Sequence, residues 1–183
     1  MYAKSSQKLE ALRSAFLSAM SRVASTVTVV TTSGQSGEFG ATVSAMSSVS
    51  ADGLTPTLLV CLHGDGNVGQ EIIRNGSFCV NILSSEQADI SDIFAGRYGA
   101  SQSERFRAAD WHPMPNGAPG LPGALARLSC RVSTSHRVGT HDVIFGAVDQ
   151  IDLPTDGAPL IYACRNYARP APLEHQPRQT LCA

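Results

Sequence analysis

The sequence predicts a mainly β chain, a small barrel flanked by a few short helices, on three observations. Six runs rich in Val, Thr, Ile and Phe recur at close spacing, turn residues bound them, and only short stretches show helical periodicity. Leu9, Leu12, Phe16 and Met20 recur at helical spacing, so residues 7–21 read as an amphipathic helix. The expected strands are 26–32 (TVTVVTT), 40–50 (GATVSAMSSVS), 57–62 (TLLVCL), 77–83 (SFCVNIL), 126–133 (ARLSCRVS) and 142–151 (DVIFGAVDQI). Gly34, Gly37, Gly53 and Pro56 punctuate them. In ARLSCRVS the apolar Leu128, Cys130 and Val132 alternate with Arg127, Ser129 and Arg131, which gives a strand one wet face. Ser84-x-x-Gln87 predicts a capping box opening a helix that runs to Phe94, and Ser101-x-x-Glu104 predicts another. Residues 112–123 (HPMPNGAPGLPG) form a Pro/Gly loop, and 171–183 read as a flexible tail behind a single domain over 1–170.

At 183 residues the chain suits one domain with a proper core. A net charge of -1 with no basic block argues against nucleic acid as a partner. No run approaches the ~20 apolar residues of a membrane span, and MYAKSSQKLEALRSAF places charges where a secretion signal needs an apolar stretch. A cytoplasmic protein is expected. Only 16% of residues are charged, which suggests a surface buried against a second copy, a homodimer. The five cysteines (Cys61, Cys79, Cys130, Cys164 and Cys182) are odd in number and lack a C-x-x-C pair, so neither a disulfide framework nor a zinc site is expected.

Gly64-x-Gly66-x-x-Gly69 has the spacing of a dinucleotide-binding turn. Only Val68 to Asn75 is free to form the following helix, eight residues or about 12 Å. A typical strand runs about 17–20 Å, so that helix is too short to pack back along it. Asp65 would also place a negative charge beside a pyrophosphate. A Rossmann unit is therefore disfavoured. Loop glycines ahead of a short helix still leave free backbone N–H groups, which suit a phosphate of another kind or simply make a surface turn.

The stretch GATVSAMSSVSADGLTPTLLVCL (40–62) resembles the flavin-binding segment of the short-chain flavin reductases, whose usual form is G-x-T-x-S-S-x-x-S-V-S and then P-P-x-L-x-x-C. SRVASTVTVVTT (21–32), GTHDVIFGAV (139–148) and PLIYACRNYARP (159–170) resemble that family's opening strand, its G-D-H strand and its closing strand, in family order. The resemblance implies an FMN-binding split β-barrel of Greek-key type, working as a homodimer. It implies hydride transfer from NADH, less readily NADPH, to FAD or FMN, with reduced flavin diffusing to a separate flavin-dependent monooxygenase acting on an aromatic compound.

By that resemblance Thr42, Val43, Ser44, Ala45, Ser48, Val49 and Ser50 surround the ring and ribityl chain, with Ser25 and Val27 nearby. Cys61, Leu62, His63 and Asn67 fall near the ribityl and phosphate, and Phe94 and Phe106 match aromatics lining the site. The chemistry is compatible: hydroxyls suit the polar edges of a flavin, and small residues let backbone approach the ring. Any one Ser or Thr is also an ordinary solvent-facing strand residue, and either Phe an ordinary core residue. Asp65, Gly66 and Asn67 stand where the family has serines, so Asn67 and backbone amides must replace hydroxyl anchors.

His141 corresponds to the His of G-D-H, beside the nicotinamide, while the family's Asp is Thr140 here. Hydride transfer needs stacked rings, exclusion of water and stabilisation of negative charge on the flavin, which makes His141 a positioning group. It lies five positions after His136, an odd offset, so on a continuous strand the two would face opposite ways, against a two-His metal site. Arg165, Asn166 and Tyr167 match a nicotinamide-nucleotide segment at the mouth of the site or across the dimer. A non-catalytic flavin-binding or electron-carrier protein on the same barrel is the alternative from another class. It would have no use for a nucleotide site at His141 and Tyr167.

Overall fold

The computed structural model describes residues 2–154 and 156–173, with the backbone alone at 2–5. The outer part of the expected tail, including Cys182, lies outside the described residues. Helix α1 (Tyr2–Met20) opens the chain, followed by β1 (Ser25–Thr26), β2 (Thr28–Gly34), β3 (Gly37–Val43), β4 (Met46–Ser50) and β5 (Thr57–His63). Next come α2 (Val68–Asn75), β6 (Ser77–Ile82), α3 (Ala88–Phe94), α4 (Gln102–Phe106), β7 (His112–Pro113) and β8 (Pro119–Gly120). The chain closes with β9 (Ala126–Val138), β10 (His141–Asp152), β11 (Ile161–Ala163) and β12 (Asn166–Ala168).

Seven strands form one sheet in the order β3-β2-β6-β9-β10-β5-β4, and every pairing in it is antiparallel. The dinucleotide fold needs parallel strands. The order has a further consequence. β3 and β4 stand at opposite edges, yet only Ser44 and Ala45 connect them. So short a link reaches about 10 Å, so the sheet must curl until its edges approach, and Cys61 N of β5 donates to Ala45 O at 3.0 Å. The expected single run 40–50 is therefore two strands broken at this corner.

Alternation along β2 divides the interior. Val30 joins Val43, Val60, Leu62, Phe78 and Ile144 inside the curl, where Val68 and Ile72 of α2 pack from one end. Val29 and the preceding Val27 face the other way, onto Leu83, Phe94, Phe106 and Leu160. That outer layer holds α3, α4 and a small sheet β1-β11-β12 against the main one. Both faces of β2 are thus covered, so its threonines need internal partners. Thr28, Thr31 and Thr32 donate to carbonyls of Val43, Pro119 and Ser77.

Three expectations change in detail. The Ser84 box is half made: Gln87 Oε1 accepts from Ser84 N at 3.1 Å, but Ser84 heads a turn and α3 begins only at Ala88. The strand expected to end at 133 runs on to Val138 and turns at Gly139 (φ 58°) and Thr140 into β10. His136 and His141 therefore sit on opposite arms of a hairpin, and His136 pairs with Val143. Finally, the apolar stripe of α1 is not buried within the chain: Leu9 is 69% exposed, Leu12 66% and Phe16 60%. The Ser101 capping box forms with both of its bonds, as the spacing predicts.

Candidate functional site

Between the β3 edge, the loop after β5 and helices α3 and α4 lies a cavity of about 290 Å³. Its floor is strand: Thr42 and Val43 from β3, Cys61 and Leu62 from β5, with His63 and Gly66 at one rim. Its wall is helical: Phe94 and Ala95 from the end of α3, Gln102 and Arg105 from α4. Thr42 and Ala95 are shared with a second cavity of about 160 Å³, lined also by Val27, Ser44, Ser91, Arg97, Tyr162 and Tyr167. The two adjoin at Thr42 and Ala95 and together are called the trough, with Arg105 lining the first cavity and Arg97, paired with Asp92, the second. Arg105 is held by its own neighbours: its Nε donates to Ala100 O at 3.0 Å and its Nη1 to Phe94 O at 3.4 Å.

The wall is fixed by a hydrogen-bonded cluster. Thr42 Oγ1 donates to Ser91 O at 2.6 Å, tying β3 to α3, so the hydroxyl proton is already used. The Tyr167 hydroxyl lies 2.9 Å from Ser91 Oγ and donates to Asp92 Oδ1 at 2.5 Å. Arg97 Nε pairs with the same Asp92 oxygen at 3.2 Å, and its guanidinium lies 5.7 Å from the Tyr167 ring centroid. Burial, and then the bond to Asp92, push the Tyr167 phenol above its ordinary range. It is a neutral donor at working pH. Burial also raises the Cys61 thiol, so the sulfur at the floor stays protonated and serves as an apolar lining group.

Of the residues the sequence singles out, Val27, Thr42, Val43, Ser44, Cys61, Leu62, His63, Phe94 and Tyr167 converge on this trough. Phe106 packs with Phe94 and Trp111 in an edge-to-face trio, ring centroids 5.1–5.2 Å apart, outside the lining. Asn67 adopts φ 55° and heads α2, while its neighbour Gly66 faces the cavity. Ser25 pairs with Tyr162 in the small sheet. Ala45 lies at the corner, and Ser48, Val49 and Ser50 are exposed along the open β4 edge. Arg165 and Asn166 sit at the β11–β12 turn, away from both lined cavities.

His141 stands directly across from His63 in the β10–β5 register. The rings meet edge to face at 4.9 Å and 76°, so His141 lies one side chain beyond the cavity rim. Its Nδ1 is 3.0 Å from Thr140 Oγ1. A hydroxyl, where the resembling family has a carboxylate, thus sets the ring's orientation. Among the described residues no three His, Cys, Asp or Glu side chains gather as metal ligands.

Sequence reasoning missed Ser91, Asp92, Arg97, Gln102, Arg105 and Tyr162. Only the Ser101 capping box hinted at them, because it fixes the helix that carries Gln102 and Arg105.

The arrangement suits a long anionic ligand with a flat ring. A guanidinium and an amide lie at one end, apolar and hydroxyl-bearing strands along the floor, and two tyrosines and a second guanidinium at the other.

Comparison with known proteins agrees. Residues 20–171 match the family model described as flavin reductase like domain. The FMN reductase (NADH) RutF 2 of Methylorubrum extorquens is 42% identical over 154 residues, 84% of this chain and 87% of its own. The solved structure of BorF, the flavin reductase component of a bacterial two-component tryptophan halogenase, superposes with a TM-score of 0.78 at 26% identity, over 86% of this chain and 97% of its own. The NADH:FAD oxidoreductase SgcE6 of Streptomyces globisporus, solved with NAD and FAD fragments, gives 0.79 at 25% identity, over 89% and 95%.

Proposed function

The chain belongs to the flavin reductase-like domain family, and from that premise we propose that it is an NADH-dependent flavin reductase that releases reduced FMN or FAD to a separate monooxygenase. The observation that carries this reading is the pair of cavities adjoining at Thr42 and Ala95, with the Arg105 guanidinium at one end and apolar and hydroxyl-bearing strand residues along the floor. Flavin, when bound, supplies a two-electron acceptor for the hydride. The residues present fit it. Arg105, Gln102 and the Gly66 backbone, which line one cavity, would hold the phosphate end, and Thr42, Val43 and Leu62 would line the ribityl path. Val27, Ser44, Tyr162 and Tyr167 would wall the ring end, where Arg97, paired with Asp92, would lie near the site of developing negative charge.

His141, its Nδ1 3.0 Å from Thr140 Oγ1, stands beyond the His63 rim, while Tyr167 walls the other cavity; in this reading the two contact different parts of the nicotinamide nucleotide. Neither residue need give up a proton for hydride transfer. Ser25, Ala45, Ser48, Val49, Ser50, Asn67, Arg165 and Asn166 complete the two nucleotide sites at the open edge and across a homodimer. The exposed apolar stripe of α1 supports such a dimer. The barrel reading is supported by the curl that brings β3 and β4 together. No helix among the described residues is long and apolar enough to cross a membrane, in keeping with a cytoplasmic enzyme.

The test is loss of NADH absorbance with purified protein, with and without added FMN or FAD. Absence of flavin-dependent NADH oxidation would overturn the proposal. Flavin reduction that fails to saturate with NADH would favour a carrier instead.

A further inference from the structure

The spacing Gly64-x-Gly66-x-x-Gly69 has a physical reason unrelated to a dinucleotide turn. Its outer glycines are seats for an ion pair on the neighbouring hairpin. A Cβ on Gly64 would fall inside the guanidinium of Arg137. One on Gly69 would stand 2.9 Å from Asp142 Oδ2 and 3.4 Å from Asp142 Cβ. Neither glycine has a left-handed φ, so close approach alone explains them. The middle glycine differs: a Cβ there would meet nothing within 4 Å, and Gly66 lines the cavity. The loop therefore turns one face to the ion pair and the other to the trough.

The pair is tied to both elements it touches. Arg137 Nη1 donates to both Asp142 oxygens, at 3.1 and 3.0 Å, and Nε donates to Gly139 O at 3.2 Å. Gln70 Nε2 of α2 donates to Asp142 Oδ2 at 3.3 Å, and Gly64 N donates to Thr140 O at 2.8 Å. The Asp142 side chain is 5% exposed, so it needs this compensation in place. At the same corner His63, on the cavity rim, lies edge-on to His141.

We infer that Arg137 and Asp142 are positioning residues: their ion pair, seated on Gly64 and Gly69, holds the cavity-lining loop and the His141 turn in the arrangement that accepts the flavin's phosphate end. The inference rests on reading the trough as the flavin site. Exposed ion pairs contribute little. The effect of this one lies in where it puts the backbone, and a misplacement of about 1 Å can cost a hundredfold in function.

Removing one partner would strand a buried charge and risk unfolding, so the chief variant is Gly64→Ala. It keeps every charged group and forces Arg137 off its seat. FMN fluorescence quenching should report affinity weakened about tenfold or more, with a raised flavin KM, a kcat near wild type at saturating flavin, and a cooperative unfolding transition whose midpoint falls less than that of R137A, because the displaced guanidinium stays on the chain. The double variant G64A/R137A should bind FMN as R137A does alone, because the new methyl then has nothing to displace. Wild-type affinity in G64A, or additive losses in the double variant, would overturn the inference while leaving the flavin reading intact. Absence of quenching by the wild-type protein would overturn both.

Discussion

Replacing Arg165 with glycine should make the protein more stable. β11 and β12 are joined by two residues, with Ala163 paired to Asn166 across the turn. Both turn residues are left-handed, Cys164 at φ 50° and Arg165 at φ 64°. This is the geometry of a type I′ hairpin, which favours Asn-Gly because both central residues need positive φ. Each non-glycine residue held there costs about 1–2 kcal/mol. Glycine at 165 removes one such cost, but it also loosens the unfolded chain by about 0.4–1 kcal/mol. The net gain is about 0.5–1 kcal/mol, which for a chain of this size raises the melting temperature by about 1–4 °C. Little is lost in exchange, since Arg165 is exposed and lines neither cavity of the trough. Cys164 N keeps its bond to Ser21 O at 2.6 Å. Thermal unfolding followed by circular dichroism measures the change, and an unchanged or lower midpoint would refute the strain argument. The NADH KM of the same variant reports independently on Arg165 as a nucleotide contact. A KM near wild type would mean that the residue is held at this turn by something other than ligand binding.

Tyr167→Phe removes a bond to a carboxylate, so thermal or urea unfolding should show a loss of about 1.5–3 kcal/mol, with a raised NADH KM; a variant as stable as wild type would contradict the bonding at Asp92. Gly146→Ala sets a methyl against the Phe78 ring, 2.9 Å from Cε1, and 3.1 Å from Cys130 Cβ. Overpacking of this kind costs about 1–3 kcal/mol, read as a lower unfolding midpoint. Burial pushes the Cys79 thiol up to about 12, partly offset by Arg127, and raises Cys130 also. Unfolded thiols release their protons near 9.0 while the folded ones keep theirs, so this contribution to stability is whole below that pH and is lost as pH rises toward 12. Urea midpoints should therefore fall above the ordinary thiol value, and a thiol reagent at neutral pH should modify exposed Cys164 while Cys79 and Cys130 wait for unfolding.

Some of this molecule is written in short-range pattern. The β runs at 57–63 and 77–82, the alternation in ARLSCRVS and the Ser101-x-x-Glu104 box all depend on neighbours within a few residues. The eight residues of α2 likewise decide against a dinucleotide turn by length alone. The segment around Thr42, Val43 and Ser44 points to the trough because Thr42 and Val43 end one strand and Ser44 follows it directly.

What only the tertiary structure decides is which distant residues meet. Arg105 reaches the cavity because α4 packs on β3, and Arg97 because Asp92 and Tyr167 draw it over the ring. No local periodicity marks either residue. The break at Ser44–Ala45 reflects the curl of the sheet, and the turn at Gly139–Thr140 sets His141 beside His63 instead of along a strand with His136. Gly64 and Gly69 resemble a phosphate fingerprint in the sequence, and only the fold reveals an ion pair resting on them. The reason is general: pleat, caps and turns are set by bonds between near neighbours, whereas a binding site is set by register and packing between segments far apart in the chain.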